Sequence, residues 1–409
     1  MLDKVNNIVW GNGLVFLLMF TGVIYTIKLK FVQFHLIPHI IKSAKNKENK
    51  RRYLRTMCMS LGTAMGTGNI TGVASAIAIG GAGAVFWMWV SAIIGMATVY
   101  AENRLSAKYS DDDLKGPIAY ITKGLGSRRL AAIFAFCCIL ASFGMGGMAQ
   151  ISTMSDSILC CTNMNSWILA FIIFTVIFAV ITGGSERIGK AAQILLPAAT
   201  IAYSAVCIIL IFTNCHSLIS VIRMIICEAF GFQQALGGIC GHTITKALSV
   251  GTRRGVFSNE AGLGSSPLIH SSDDTGSYAV CAMIEVFIDT IICCTLTALT
   301  ILCCSSDLTV RSAFFTLLGT KTDMFLSFIM TIFAFCTVIG WYFCGEIAFK
   351  HLFPDSSAKK YAFIFALTAS VGAIVKADTI WTLSDIFNGI MAFPNILAVL
   401  FLIKEVDKE

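Results

Sequence analysis

Several long stretches of this sequence contain no charged side chain, and they restrict the fold more than any other feature. Residues 130–155, 191–215 and 324–345 have no Asp, Glu, Lys or Arg. A helix needs about 20 apolar residues to cross a bilayer, and only helices and closed barrels satisfy their backbone hydrogen bonds within hydrocarbon. The stretches therefore predict an all-α protein that crosses the membrane several times, in agreement with a mean hydropathy of +0.79.

Hydropathy windows predict eleven membrane spans, and two of these are interrupted. They are expected at about residues 8–26, 53–80 (broken), 84–108, 129–160, 166–182, 190–213, 235–266 (interrupted), 276–304, 323–350, 360–376 and 381–403. The first span has no basic leader or small-residue cleavage site, so it is expected to be retained. The amphipathic stretch 31–47 is predicted to lie along the membrane interface. Residues 310–318 are too few to cross a bilayer and are predicted to form an external loop helix.

The basic residues are distributed unevenly, and this predicts the orientation of the spans. Short cytoplasmic loops carry an excess of Lys and Arg. If the amino terminus lies outside, only six of the 30 Lys and Arg residues fall on the outer face: Lys4, Arg223, Lys246, Arg311, Lys321 and Lys376. The others, Arg253 and Arg254 among them, are expected on the cytoplasmic face. We predict a multi-pass plasma-membrane protein with a short cytoplasmic C-terminus, whose net charge of +7 requires no nucleic-acid partner.

A glycine-rich segment interrupts the second predicted span. Residues 62–72 read GTAMGTGNITG, with apolar helical sequence on both sides. Glycine weakens a helix interior and lets the backbone leave helical geometry. At membrane depth, freed backbone groups are tolerated only where they line a cavity or meet an internal partner. The segment therefore predicts a transporter's binding site, and the alternative is a close-packed helix contact of small residues.

The spans after the first divide into two halves of five, and each half opens with a glycine-interrupted element. The second half has GGICG and GVFSNEAGLGSS where the first has GTAMGTGNITG. An odd number of spans gives the halves opposite orientations, which predicts an inverted repeat with a site at the midplane. The predicted division is 1–52 for an N-terminal helix plus an interfacial helix, 53–215 and 216–403 for the two repeats, and 404–409 for a short tail.

A series of sequence blocks runs along nearly the whole chain. They are NNIVWG (6–11), FVQF (31–34), the segment 66–102 from GTGNITG to VYAE, GPIAYITKGLG (116–126), GGSERIGK (183–190), RRGVFSNEAGLGSSP (253–267), EVFIDTIICCT (285–295) and IGWYFCGE (339–346). In this order they resemble the alanine or glycine:cation symporter family of the amino acid–polyamine–organocation superfamily. The resemblance implies sodium-coupled uptake of a small neutral amino acid by a neurotransmitter-transporter-type fold.

Two segments depart from the pattern of that family. The loop at residues 110–115 is shorter than is usual, and SSDDT at 271–275 replaces a run of small residues. Both are expected at cytoplasmic edges, where they would alter gating or regulation before they altered the chemistry.

The two interruptions carry the residues expected to bind the amino acid. A zwitterion needs N–H donors near a helix N-terminus for its carboxylate, and oxygen ligands for its ammonium group. Thr67, Gly68 and Asn69 are predicted to supply the first set. Phe257 and Ser258 are predicted to supply an apolar lid and oxygen ligands. For Asn69 the alternative is a structural hydrogen bond that closes the unwound turn.

Three residues on other spans complete the predicted substrate site. By the resemblance, Gln150 is expected to face the amino acid, and the alternative is a hydrogen bond that joins two helices. Thr337 and Trp341 lie four residues apart and therefore on one helical face. A tryptophan wall would limit the pocket to alanine or glycine, whereas the alternative for Trp341 is packing in the bundle.

The resemblance also implies a site for the co-transported Na⁺. Sodium prefers several oxygen ligands, which unwound backbone supplies. Backbone carbonyls near Gly62 and Met65 are expected to meet Ala334 and the Thr337 hydroxyl, so Thr337 has two candidate roles. No organic cofactor is predicted.

Acidic, histidine and cysteine residues are the remaining candidates for functional sites. Glu285 and Asp289 lie one turn apart within a span, where acids are functional candidates, but a structural pair with Arg253 or Arg254 is favoured. Glu260 is expected to be a gate or a hydrogen-bond anchor. The 16 cysteines show no zinc-ligand spacing with histidine and are expected to pack as small apolar residues. The pair His35 and His39 lacks a third ligand, so no metal site is predicted there.

The predicted function is sodium-coupled symport of alanine or glycine into the cell by alternating access. Close alternatives are coupling to H⁺ or a preference for glutamine. A more distant alternative is an amino-acid sensor or channel on the same scaffold, but the sequence shows no added signalling domain and no polar ring pattern. An enzyme is the least supported class, because no nucleophile, metal cluster or phosphate loop is evident.

Overall fold

A computed structural model describes residues 2–35, 50–231, 240–270, 275–305 and 307–406 of the chain. Within these ranges the regular secondary structure is helical and no strand occurs. The principal helices are α1 (Leu2–Val9), α2 (Asn12–Lys28), α3 (Lys50–Ala64), α4 (Thr71–Gly80), α5 (Gly83–Tyr109), α6 (Gly116–Ala119), α7 (Arg128–Ala141), α8 (Gln150–Cys161), α9 (Ser166–Ile181), α10 (Gly184–Thr213), α11 (Cys215–Ala229), α12 (Cys240–Asn259), α13 (Ser265–Ile269), α14 (Thr275–Val286), α15 (Thr295–Cys304), α16 (Val310–Leu318), α17 (Thr322–Leu352), α18 (Ala358–Val371) and α19 (Ala377–Phe401).

Seven helical stretches of the described chain are long and apolar enough to cross a membrane. They are Lys4–Lys28, Gly83–Tyr109, Arg128–Cys161, Glu186–Thr213, Tyr278–Cys304, Val310–Leu352 and Ala377–Phe401. The chain is therefore an all-helical, polytopic membrane protein, as the sequence predicts. The number of eleven spans, the inverted repeat and the domain boundaries stay predictions.

The glycine-rich interruption of the second predicted span is confirmed. Helix α3 ends at Ala64, and a single 3₁₀ turn, Thr67–Asn69, precedes α4. Gly66 joins them in an extended conformation. A Cβ at Gly66 would lie 2.7 Å from both Gln150 Oε1 and Thr337 Oγ1, so neighbouring side chains occupy the space that a side chain would need. Glycine is required here because polar groups approach the backbone closely.

The second interruption is confirmed in the segment GVFSNEAGLGSS. Helix α12 ends at Asn259, and α13 begins at Ser265. Between them, Glu260, Gly262 and Gly264 have φ angles of +57°, +87° and +80°. Left-handed backbone suits glycine and strains Glu260, which therefore needs fixed partners. Of the other predicted interrupting motif, GGICG at 237–241, residues 237–239 lie outside the described residues, and α12 begins at Cys240.

Two long helices organise the packing around these interruptions. Helix α5 packs along α2, α12 and α14, and α17 packs along α3, α7 and α8. Wider π-helical turns occur at Ser142–Ala149, between α7 and α8, and at Phe287–Cys294, between α14 and α15. Such turns shift side chains out of α-helical register, and they are frequent at functional sites. The turn Phe287–Cys294 carries Asp289, which contacts both interruptions, and the turn Ser142–Ala149 directly precedes Gln150, which contacts the first.

Helix α11 was not predicted. The helix is amphipathic. Arg223 and Glu228 lower its mean hydropathy, so hydropathy windows do not identify it as a membrane span. It packs against α5, where the Gly83 N–H donates to Glu228 Oε2 at 3.3 Å and the Trp87 indole donates to the Ala229 carbonyl at 3.3 Å. The helix predicted at residues 310–318 is confirmed as α16, and its external position stays a prediction.

The remaining peripheral predictions fall partly outside the described residues. Of the predicted interfacial stretch 31–47, residues 36–47, including His39, lie outside them, and Val32–His35 forms a short 3₁₀ turn. Residues 271–274 of SSDDT also lie outside. The short loop at 110–115 is described, and there the Asp111 carboxylate accepts the Leu114 N–H at 2.7 Å. The Lys123 ammonium beside this carboxylate lowers its pKa.

Candidate substrate and cation site

The first interruption is held by a side chain from α8. Gln150 Oε1 accepts hydrogen bonds from the Thr67 backbone N–H at 3.0 Å and from the Thr67 hydroxyl at 2.9 Å. The Gln150 amide nitrogen donates to the Met145 carbonyl at 3.2 Å, within the π-helical turn. The structure thus brings Gln150 to the predicted carboxylate site, where it occupies a donor that an amino-acid carboxylate would use.

The second interruption packs directly on the first. A Cβ at Gly68 would lie 3.3 Å from the Phe257 ring, so the ring rests against the Gly68 backbone. On its other side, the Phe257 ring lies 5.1 Å from the Trp381 ring, measured between centroids. The predicted lid residue therefore lies between the unwound turn and α19.

A buried carboxylate connects the two interruptions. Asp289 Oδ1 accepts from the Asn69 amide at 2.6 Å, while Oδ2 accepts from the Ser258 hydroxyl at 2.6 Å and from the Thr290 hydroxyl at 2.8 Å. Asp289 is fully buried. Nowhere in the described chain does a Lys or Arg pair with it, so the pairing with Arg253 or Arg254 that the sequence favoured is wrong.

The Asp289 site has unused oxygen ligands. The Asn69 side-chain oxygen is buried and has no hydrogen-bond partner. The three groups that donate to the carboxylate are neutral, so none of them compensates its charge. An ionised acid in a low-dielectric interior is costly unless a cation lies close to it. The arrangement therefore suits a small cation with oxygen ligands.

The residues predicted to bind Na⁺ lie on two neighbouring helices. The Thr337 hydroxyl donates to the Gly62 carbonyl at 2.9 Å, which joins α17 to the last turn of α3. Ala334 lies on α17, and Met65 directly follows the end of α3. Both side chains are fully buried. The structure thus brings Gly62 and Thr337 into contact, and the role of the four residues in binding Na⁺ stays a prediction.

Trp341 contacts the second interruption through its indole N–H. That group donates to Glu260 Oε1 at 2.8 Å, and the Ser265 hydroxyl donates to Glu260 Oε2. These bonds fix the strained Glu260 backbone, which gives Glu260 the geometry of a hydrogen-bond anchor. The indole itself is fully buried, and a Cβ at Gly146 would lie 2.2 Å from Trp341 Cβ. Trp341 is therefore closely packed against the π-helical turn.

A cavity of about 430 Å³ lies beside the interruptions, and we call it the vestibule. Its lining residues come from α1, α4, α12 and α19: Asn6, Asn7, Thr71, Gly72, Ser75, Ile79, Arg253, Arg254, Asp378, Trp381, Thr382 and Asp385. Because Phe257 packs on Trp381, the two rings separate the vestibule from the unwound turn at Gly68.

An ion pair crosses the vestibule above these rings. Arg254 Nη1 lies 3.3 Å from Asp385 Oδ1, and both side chains are buried. The Arg254 guanidinium also lies 5.7 Å from the Phe257 ring centroid and 5.5 Å from that of Trp381, within range for cation–π contacts. The pair joins α12 to α19 and must separate if the rings are to part.

The position of these arginines corrects the sequence prediction. Arg253 and Arg254 share the vestibule with Asn6 and Asn7, so they lie on the side of the amino terminus, whereas the sequence predicted the opposite side for them. The positive-inside rule applies to residues in short loops. Both arginines instead lie within α12, where the carboxylate of Asp385 is 3.9 Å from Arg253 and 3.3 Å from Arg254.

Trp381 and Asp385 were missed in the sequence as site residues. The signal was present, because an acid within a predicted span is a functional candidate and Trp381 precedes Asp385 by one helical turn. What the sequence could not reveal was the partner of Asp385, which lies 131 residues away along the chain.

A different set of contacts lies on the opposite side of the interruptions. The Ser60 hydroxyl donates to Glu285 Oε2 at 2.7 Å, and His270 Nε2 lies 3.1 Å from Glu285 Oε1. Ser60 precedes the first interruption, whereas Thr71 and Ser75 of the vestibule follow it. The predicted partners of Glu285, Arg253 and Arg254, are therefore replaced by Ser60 and His270.

Two interrupted helices that enclose a buried acid within a bundle of membrane-crossing helices define a class of protein, the secondary transporters with discontinuous helices. The profile of the sodium:alanine symporter family matches residues 1–409 of the chain. The chain belongs to this family, whose members are membrane transporters and not enzymes.

Characterised and uncharacterised relatives resemble the chain along most of its length. It is 35% identical to the sodium/alanine symporter AgcS of Methanococcus maripaludis, over 98% of this chain and 94% of that protein. It is 34% identical to the probable sodium/glutamine symporter GlnT of Bacillus subtilis, over 98% of this chain and 87% of that protein. An uncharacterised transporter of Haemophilus influenzae is 35% identical over 100% of this chain and 94% of that protein.

Proposed function

We propose that this protein imports alanine, or another small neutral amino acid, together with Na⁺ by alternating access. The observation that carries the proposal is the Asp289 carboxylate, buried between the two interruptions and surrounded by neutral donors. The similarity to a sodium/alanine symporter and to a probable sodium/glutamine symporter supports the class of substrate and of ion.

The amino acid would bind along the first interruption. Its carboxylate would replace Gln150 Oε1 as the acceptor of the Thr67 N–H, with Gly68 and Asn69 completing the turn. Its ammonium group would lie toward Ser258, where oxygen atoms are available, so that Asp289 is left for the cation. Since the Phe257 ring lies against Gly68 at van der Waals distance, little room remains for a substrate side chain. This favours alanine or glycine.

The cation would bind beside the same residues. Asp289, the unpartnered Asn69 oxygen and the Ser258 hydroxyl offer oxygen ligands and one negative charge. Na⁺ there would neutralise the acid and would also attract the substrate carboxylate, which couples the two binding events. Carbonyls near Gly62 and Met65, with Ala334 and Thr337, are proposed for a second Na⁺.

Alternating access would use the contacts on the two sides of the interruptions. On the vestibule side, the Arg254–Asp385 pair and the rings of Phe257 and Trp381 would separate to admit substrate. On the other side, the contacts of Glu285 with Ser60 and His270 would break to release it. We further propose the inverted-repeat arrangement, with the vestibule outside and the C-terminus in the cytoplasm.

The test is uptake of radiolabelled alanine into proteoliposomes. We expect uptake with an inward Na⁺ gradient and little with Li⁺ or with a pH gradient alone. Unlabelled glycine should compete, and glutamine should compete only weakly. Equal uptake in Na⁺-free buffer under a pH gradient would contradict the Na⁺ proposal, and stronger competition by glutamine than by glycine would instead identify a glutamine carrier.

Trp341 provides a second test, which concerns substrate size. If the indole limits the pocket, Trp341→Ala should weaken alanine binding and admit larger amino acids. Trp341→Phe keeps a ring but loses the bond to Glu260, so it separates the volume of the indole from its hydrogen bond. Competition of alanine uptake by a series of amino acids measures both effects. Trp167→Ala is the control, because Trp167 is 69% exposed on α9. Unchanged selectivity in Trp341→Ala would leave packing as the role of Trp341.

A further inference from the structure

Three side chains with metal-binding atoms converge beyond the first interruption, on the side away from the vestibule. His270 ends the segment that follows the second interruption, and Cys281 and Glu285 lie one turn apart on α14. His270 Nε2 lies 3.1 Å from Glu285 Oε1, and Cys281 Sγ lies 3.4 Å from the same oxygen. One ligand atom from each residue lies within 4.8 Å of the other two. All three side chains are buried.

Two of the three distances between these atoms, those from His270 and Cys281 to Glu285 Oε1, are close to the distances in a zinc site. Ligand atoms around a tetrahedral Zn²⁺ stand about 3.2–3.8 Å apart, given bond lengths of about 2.0–2.3 Å. Imidazole, thiolate and carboxylate are the three side-chain ligand types that Zn²⁺ uses. The His270 Nδ1 atom is buried without a hydrogen-bond partner among the described residues, so the ring has unused binding capacity. Ser60, bonded to Glu285 at 2.7 Å, lies beside a fourth position.

We propose that His270, Cys281 and Glu285 form a binding site for Zn²⁺ or a similar thiophilic divalent cation. Nothing in the proposed Na⁺ symport uses such an ion. The site escapes sequence analysis because its ligands are assembled from two helical segments and do not follow a zinc-finger spacing. Only the helical turn between Cys281 and Glu285, and the end of α13, bring them together.

The charges of the site favour a divalent ion. Binding converts the Cys281 thiol into a thiolate, and its proton leaves to the buffer. With the Glu285 carboxylate and a neutral His270 ring, the two negative charges then balance Zn²⁺. No Lys or Arg of the described chain pairs with Glu285, so no fixed cation competes. A neutral complex avoids the cost of an uncompensated charge in a buried position.

The location of the site indicates what a bound ion would do. It would join α13 to α14 at a point where Ser60 of α3 already contacts Glu285. Helix α3 precedes the first interruption, and α13 and α14 follow the second. The proposed transport cycle requires these three helices to separate. Bound Zn²⁺ is therefore expected to arrest transport with this side closed. This effect rests on the proposed function, whereas binding of the ion does not.

Binding is tested on the purified full-length protein, without transport. Cys160 and Cys161 are adjacent and exposed, so both are first replaced by Ser to remove a competing pair of thiols. Zn²⁺ is then titrated by calorimetry in two buffers of different ionisation enthalpy, and Co²⁺ absorption reports tetrahedral coordination. We expect one Zn²⁺ per chain, release of a proton, and affinity at least roughly 100-fold weaker in Cys281→Ser. Cys207→Ser, which removes a buried thiol of α10, should bind as the parent does.

Uptake measurements show whether the Cys281→Ser variant folds and whether bound Zn²⁺ inhibits transport. Cys281→Ser should take up alanine normally in the presence of a metal chelator, which shows that it folds. Micromolar Zn²⁺ inside the vesicles or outside should inhibit the parent and spare Cys281→Ser. Identical Zn²⁺ titrations for the parent and Cys281→Ser would overturn the proposal, whatever the uptake assay shows. A failure of alanine uptake in the parent would instead concern the proposed symport and would leave the binding result intact.

Discussion

Replacing Asp289 with Asn is expected to abolish Na⁺-coupled alanine uptake while the protein still inserts and folds. Asn keeps the size of the side chain and can still accept the hydrogen bonds of Asn69 or Ser258, but it lacks the negative charge. Losing one partner of a buried charged interaction costs roughly 3–5 kcal/mol, which corresponds to more than about 100-fold in affinity. Calorimetric titration with Na⁺, and uptake as a function of Na⁺ concentration, measure the loss.

The matched control for this variant is Asp156→Asn. Asp156 lies on α8 but is exposed, so its charge has no part in the proposed site. It should retain the Na⁺ dependence of the parent. If Asp289→Asn took up alanine with an unchanged Na⁺ dependence, the cation would not bind at Asp289. Na⁺-independent uptake by this variant would show that Asp289 confers the coupling and not the affinity for the amino acid.

Replacing Gly68 with Leu is expected to eliminate alanine binding without preventing membrane insertion, since it raises the hydrophobicity of the segment. The Cβ alone would lie 3.3 Å from the Phe257 ring, so a Leu side chain must displace that ring or the unwound turn. The substrate carboxylate would then be displaced from the N–H groups of the turn, and the energy of those bonds, about 1.5–3 kcal/mol for each hydrogen bond to a charged group, would be lost. Calorimetric titration with alanine would detect the loss.

The structure decides which glycine serves as the control. Gly95 lies on an uninterrupted helix, but a Cβ there would be 2.9 Å from Ala261 in the second interruption. Gly13 on α2 has no atom within 4 Å of its Cβ position. Gly13→Leu therefore adds the same apolar side chain without a contact, and it should bind alanine normally. Normal binding by Gly68→Leu would show that the substrate site lies elsewhere.

The interruptions could be predicted because their signal is local. A run such as GTAMGTGNITG within apolar sequence weakens the helix at the same position where the structure shows the break, and GVFSNEAGLGSS behaves in the same way. The long helices could be predicted for a similar reason, since a bilayer imposes a minimum apolar length. Helix α11 was missed because an amphipathic helix carries no such constraint.

The partners of the site residues could not be predicted, because they are set by tertiary packing. Asn69 and Asp289 are 220 residues apart, and Ser60 and Glu285 are 225 apart. The sequence identifies Asp289 and Glu285 as buried acids but contains no information on which base or donor faces them. Arg253 and Arg254 were the expected partners, and both instead lie beside Asp385.

The hydrogen bonds of Gln150 have a consequence for the kinetic cycle. A symporter must return without substrate after each delivery, and an empty site would expose the Thr67 donors to an apolar interior during that step. Gln150 Oε1 already accepts from both donors in the absence of any amino acid. If the substrate carboxylate binds at Thr67 as proposed, this side chain would act as an internal surrogate for it and would lower the barrier for the return of the unloaded carrier. We therefore expect that loss of the Gln150 side chain would slow net accumulation, which includes the return of the empty carrier. It would slow the exchange of one bound amino acid for another to a lesser extent.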